Sequence, residues 1–185
     1  MRGPTPVPLV LDSPLPAFDR AGNLPVGNLF DGTWTNSIIC CGLDEMRRRF
    51  VVEIPSSTTR PQIWSGWMRH RQELEQLGIP YSTMVDGSFV TNKLNPKDID
   101  LVILVNGADL NALTPAEQIA FKGLFDRARC QAEYRCDCFA LQQYPVGHVR
   151  HGLACSELSY WTRVFGTDRY QVPKAFLIVS QRGVR

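Results

Sequence analysis

The chain has 185 residues, of which 44% are hydrophobic and 21% charged, the balance of an ordinary globular domain with enough sequence for one core. Its net charge of +2 supplies no basic stripe of the kind that marks a nucleic-acid binder, so a nucleic-acid acceptor is allowed but not indicated. No apolar run approaches the roughly 20 residues needed to cross a bilayer, which excludes a membrane-spanning helix as an expectation.

The chain opens with Pro4, Pro6, Pro8, Pro14 and Pro16 among small apolar residues. This start lacks the basic-then-apolar layout of a secretory signal, and residues 1–30 read as an extended arm ahead of a single domain over 31–185. A short helix is expected over Leu43–Phe50, with Arg47, Arg48 and Arg49 fanning around a solvated face. A long helix is expected from Thr59 to Leu77: Thr59 is the candidate N-cap, Pro61 lies in the first turn, and Gly78 stops it. Ile63, Trp64, Trp67, Met68, Leu74 and Leu77 recur at helical spacing as a core stripe, and His70 falls on the surface side.

After Gly78 a strand runs into Val85-Asp86-Gly87-Ser88-Phe89. A polar loop containing Lys93 and Pro96 follows, and then Asp98-Ile99-Asp100 leads into Leu101-Val102-Ile103-Leu104-Val105. That last run, β-branched and without a polar gap, reads as a strand covered on both faces. Residues two apart on a strand share a face, so Asp98 and Asp100 point the same way. Two like charges that close repel unless a cation compensates, and Mg²⁺ prefers hard oxygen ligands such as paired carboxylates with substrate phosphates. Gly87 allows close backbone approach to a phosphate, and the Ser88 hydroxyl can donate to one.

A second helix is expected at Thr114-Pro115-Ala116-Glu117, where the spacing fits a capping box with Pro at the first helical position; Ile119, Leu124, Phe125 and Ala128 supply its apolar face. Gln131–Leu141 has strand character, with Asp137 alternating between Cys136 and Cys138. His148 and His151 fall in a loop, a short helix is expected over Leu158–Phe165, a turn over Gly166–Arg169, and a final strand over Ala175–Val179, with Lys174 beside it. The six cysteines fit neither a disulfide framework nor a CxxC zinc knuckle. They read as reduced thiols, with a cytoplasmic location as the expectation.

An apolar residue followed by Gly-Ser, then Asp-x-Asp in apolar surroundings and a later strand Asp, here Gly87, Ser88, Asp98, Asp100 and Asp137, resembles the polymerase-β-type nucleotidyltransferase superfamily over about residues 80–141. The Gly22-Asn23-Leu24-Pro25 opening and the Trp161, Phe165, Arg169, Pro173-Lys174 close are similar to a compact bacterial or phage branch of it. The resemblance implies an α/β (α+β) fold, a small mixed sheet with flanking helices. It implies Asp98, Asp100 and Asp137 as catalytic and metal-holding residues for Mg²⁺ (or Mn²⁺), and Gly87, Ser88, Lys93 and Lys174 as nucleotide-binding residues. The implied reaction moves an NMP from an NTP to an acceptor hydroxyl on a protein, an RNA end or a small molecule. The alternative is a catalytically silent nucleotide- or partner-binding module, with a protein partner in a toxin–antitoxin or phage-defence setting.

Overall fold

A computed structural model describes residues 15–28, 35–36 and 38–180. The proline-rich start over residues 1–14 lies outside the described residues. Two short strands, β1 (Gly27–Asn28) and β2 (Thr35–Asn36), pair antiparallel. The main sheet has five strands: β3 (Ile38–Cys40), β4 (Tyr81–Asp86), β5 (Ile99–Asn106), β6 (Cys136–Gln143) and β7 (Phe176–Ser180), in the order β3-β7-β4-β5-β6. It is mixed: β4 is antiparallel to both β5 and β7, whereas β5 and β6 run parallel, as do β3 and β7. The helices are α1 (Leu43–Arg47), continued by a π-helical turn over Arg48–Val52, α2 (Arg60–Glu75), α3 (Gly107–Ala112), α4 (Pro115–Gly123), α5 (Arg127–Arg129) and α6 (His151–Phe165). The protein is thus a mixed α/β fold whose small mixed sheet is flanked by helices, as the sequence leads one to expect. Among the described residues no helix is long and apolar enough to cross a membrane.

The period of two sorts the core. On β5, Ile99, Leu101, Ile103 and Val105 join Ile63, Trp67 and Leu74 of α2 in the larger apolar cluster. Val102 and Leu104 join Met84, Leu141, Phe176 and Phe165 of α6 in a smaller one on the opposite face. β5 is therefore covered on both sides, which is why its run of apolar residues has no gap. The segment 15–26 packs along this body: Leu15 and Leu24 are buried, and the Leu24 carbonyl accepts from Ala175 N at 2.9 Å.

Several local expectations need correction. Thr59 sits at the N-cap of α2 but makes no capping hydrogen bond with its side chain; the Ser57 hydroxyl instead accepts from Arg60 N at 3.1 Å. His70 is fully buried. Its Nε2 lies 2.9 Å from Leu124 O, and its ring packs against Phe125 and Tyr134, so polarity misplaced a histidine that a carbonyl partner lets α2 bury. Burial holds its pKa below the usual histidine value. The capping box of Thr114 and Glu117 is present with Pro115 in the first turn, yet Ile119 is 71% exposed and Phe121 is the buried residue of α4. Residues 127–134 are helical rather than extended, through α5 and a π-helical turn over Cys130–Tyr134. Arg135 in the left-handed region, φ 55°, ends that turn and starts β6. Finally, α6 begins at His151, well before Leu158, so that histidine is helical.

Arg47 and Arg48 are exposed, as a solvated face requires, and Arg48 pairs with Glu45 and Glu53. Arg49 departs from that reading, since besides pairing with Glu53 its guanidinium lies over the Phe18 ring, 4.3 Å from the centroid, and donates to Pro16 O at 3.2 Å. Trp64 and Trp67 meet edge to face with ring centroids 5.3 Å apart, and Trp67 is fully buried: the pair is core stripe.

Candidate active site at the sheet edge of Asp86, Asp100 and Asp137

Three aspartates stand side by side across three strands. Asp86 is the last residue of β4 and is in register with Asp100 of β5; Asp100 is in register with Asp137 of β6. Alternation places all three on the face whose apolar part is covered by Phe165 of α6. Asp98 immediately precedes β5 and shares the face of Asp100. The register of the parallel pair is set just before the site, where Ile99 N donates to Arg135 O at 3.2 Å.

The row is crowded with like charge. Burial first, and then the carboxylates of Asp98 and Asp137, push the Asp100 carboxyl up to about 6. The neighbours of the row turn part of it outward: Asp98 Oδ2 accepts from Gln131 Nε2 at 3.3 Å, and Asp137 lies 3.6 Å from the Arg127 guanidinium. As the side chains stand, no three His, Cys, Asp or Glu groups among the described residues are gathered closely enough to hold a metal ion.

Asp86 behaves differently. It is 6% exposed and ion-paired with Lys174, whose ammonium also donates to Phe165 O at 3.0 Å. Burial pushes the Asp86 carboxyl upward against the pull of that ammonium.

Gly87 follows Asp86 with φ 80° and ψ −168°, a conformation essentially restricted to glycine. A Cβ placed there would lie 1.6 Å from Asp100 Oδ2, so the backbone presses directly against the central carboxylate. Ser88 then opens a single 3₁₀ turn over Ser88–Val90. Thr91 Oγ1 donates to Ser88 O at 2.8 Å, and the rest of the loop hangs on Arg60. This fully buried guanidinium donates to the carbonyls of Phe50, Phe89, Thr91 and Lys93.

Gly87, Ser88, Lys93 and Lys174, four positions singled out in the sequence, line one pocket of about 410 Å³ together with Asp86, Asn92, Arg169 and Tyr170. Its far wall is the turn ahead of β7, closed by a bridge between Thr167 and Pro173. Within that turn Asp168 Oδ1 accepts from the backbone N–H groups of Tyr170 and Val172 at 2.8 and 2.9 Å, which hold its carboxyl below the usual carboxylate range. The structure therefore brings the Gly-Ser turn and two lysines into one pocket with Asp86; Asp98, Asp100 and Asp137 are not among its lining residues, and Asp100 meets the turn only at Gly87. Two residues that the sequence pattern does not single out belong here as well. Asp86 carries a usable signal, since it lies two residues after buried Met84 on the same strand face. Arg60 carries none, because nothing local distinguishes it from any other arginine at a helix start.

The burial and crowding of Asp100 have a measurable consequence in metal-free protein. A carboxyl whose folded pKa is raised contributes stability that is full below its unfolded value, near 4, and is lost as pH rises through about 6. Asp100→Asn is expected to melt close to wild type at pH 4 and about 5 °C above it at pH 7.5, for a relief of about 2 kcal/mol. A pH-independent difference in melting temperature, followed by calorimetry, would contradict the raised Asp100 carboxyl.

No curated protein and no solved structure matches the chain. A protein-family model matches residues 16–180, which is nearly all of the domain described above. By that match the chain belongs to the family described as "Family of unknown function (DUF6932)".

Proposed function

We propose that this protein is a metal-dependent nucleotidyltransferase that moves an NMP from an NTP to an acceptor hydroxyl. The observation that carries the reading is the in-register row of Asp86, Asp100 and Asp137 with the Gly87-Ser88 turn packed against its central member. Carboxylate oxygens are the hard donors that Mg²⁺ or Mn²⁺ takes. Burial first, and then carboxylate repulsion, raise Asp100; both penalise its charged form, and a divalent ion would offset them, so the donor set fits. Asp98, Asp100 and Asp137 would hold the ion once Asp137 turns from Arg127. Bound there, the ion would neutralise charge at the reacting phosphate.

The chain's own groups do the rest. The Ser88 hydroxyl donates to a phosphate oxygen beside Gly87, whose own N–H is held by the Asp86 carboxylate, while Lys93, Arg169 and Lys174 offset phosphate charge in the pocket they share. Asp137, at the β6 end of the row, accepts the proton of the acceptor hydroxyl. The hydroxyl oxygen bonds to the α-phosphorus as the bond to the leaving oxygen breaks, and pyrophosphate departs with the electron pair. Catalysis on this reading comes from positioning and charge neutralisation, with no covalent nucleophile. On the same reading we place the protein in the cytoplasm, where its six cysteines stay reduced.

A second reading, a nucleotide-binding module without turnover, is favoured by one observation: Asp98 and Asp137 are engaged by Gln131 and Arg127 rather than gathered with Asp100. Calorimetric titration with a non-hydrolysable NTP tests what both share. Binding is expected with Mg²⁺ present and is expected to weaken at least tenfold in Asp98→Asn/Asp100→Asn. Equal affinity with and without Mg²⁺ in both proteins would overturn the metal-dependent reading.

A further inference from the structure

Lys174 and Asp86 are each 6% exposed, and they pair between the end of β4 and the segment leading into β7. A buried ion pair is a weak stabiliser compared with a well-packed apolar pair, because both charges lose water. What this pair does achieve is to fix a cation. An ammonium has three N–H donors. Here one goes to Asp86 Oδ1 and one to Phe165 O, while Lys174 also lines the pocket of Gly87 and Ser88. The other pocket cations, Lys93 and Arg169, are exposed and must be ordered when a ligand arrives, at a cost in side-chain entropy. Lys174 is ordered beforehand.

We infer that Asp86 is a positioning residue for anion binding: together with the Phe165 carbonyl it holds the Lys174 ammonium so that its remaining N–H serves a polyphosphate seated at Ser88. The inference rests on the nucleotide reading and deepens it. It also fixes a sign. By charge alone, neutralising Asp86 removes a negative group beside the pocket and tightens anion binding. If Asp86 acts by holding Lys174, neutralising it weakens binding.

The test uses inorganic tripolyphosphate without metal, titrated calorimetrically into the full chain, with a melting curve for every variant. Wild type is expected to bind, Asp86→Asn to bind about fivefold more weakly, and Lys174→Gln at least tenfold more weakly. The exchange variant Asp86→Lys/Lys174→Asp keeps an ion pair but moves the cation to β4, and it is expected to be as weak as Lys174→Gln. Unchanged or tighter binding by folded Asp86→Asn overturns the positioning role and leaves the nucleotide reading standing. If Asp86→Asn does not fold, wild-type affinity in Lys174→Gln overturns it instead. No binding by wild type of either tripolyphosphate or NTP with Mg²⁺ overturns both.

Discussion

Arg60→Met is expected to lower the melting temperature by about 10 °C. Four backbone carbonyls, those of Phe50, Phe89, Thr91 and Lys93, lose their donor at once. A buried acceptor left without its donor costs about 1–3 kcal/mol, and over these four carbonyls a net loss of about 3–5 kcal/mol is expected. Burial lowers the Arg60 pKa to about 10, which still leaves it charged at neutral pH, and its guanidinium also lies over the Phe89 ring, 5.3 Å from the centroid. Three of the four carbonyls belong to the loop that follows Ser88. Ligand binding at the pocket should therefore fall further than global stability alone explains. Arg60→Lys, with three donors on one nitrogen in place of a planar fork, is expected to recover only part of the loss. A melting temperature within about 2 °C of wild type, measured by calorimetry, would show that the loop is held by something other than Arg60.

Gly87→Ala is expected to reduce nucleotide affinity and transfer by at least a hundredfold. Two independent effects meet at this position. A non-glycine residue at φ 80° and ψ −168° costs about 1–3 kcal/mol of backbone strain. The added methyl group would also fall 1.6 Å from Asp100 Oδ2, so either the turn or the central carboxylate must move, at a further cost of about 1–3 kcal/mol. Both shifts damage the same chemistry, since the turn presents Ser88 and Asp100 is the hub of the row. In the double variant Gly87→Ala/Asp100→Ala the steric part of the melting loss should be relieved while activity stays absent. Full binding by Gly87→Ala, read by titration, would separate the turn from the site.

Much of the fold and the site is legible in the sequence because it rests on short-range periodicity. The alternation through Asp98, Ile99 and Asp100 gives a strand with one charged and one apolar face, and Thr114 with Glu117 gives a helix start, whatever the rest of the chain does. The sequence makes the adjacency of Asp137 to Asp100 conditional on how their strands pair, and the parallel pairing of β5 and β6 fulfils that condition. The burial of two polar residues, one on α2 and one ahead of β7, has a single cause outside local pattern. His70 lies inside because Leu124 O, fifty-four residues away, is positioned to meet it, and Lys174 is buried because Asp86, eighty-eight residues away, is its partner. Burial of a polar group is decided by a distant partner, and local pattern carries no trace of that. The stretch 131–134 goes to helix because its alternating polarity is short, and the left-handed Arg135 resets the chain before β6 starts.

The central claim is nucleotidyl transfer by the acidic row, and its most direct test is label transfer. Purified protein with each α-labelled NTP and Mg²⁺ or Mn²⁺, in the presence of cell lysate as acceptor, should yield labelled product and pyrophosphate. Asp98→Asn/Asp100→Asn should yield at least a hundredfold less with no loss of fold stability. Transfer that survives in that variant, or its absence from wild type that binds NTP with Mg²⁺, would contradict the assignment.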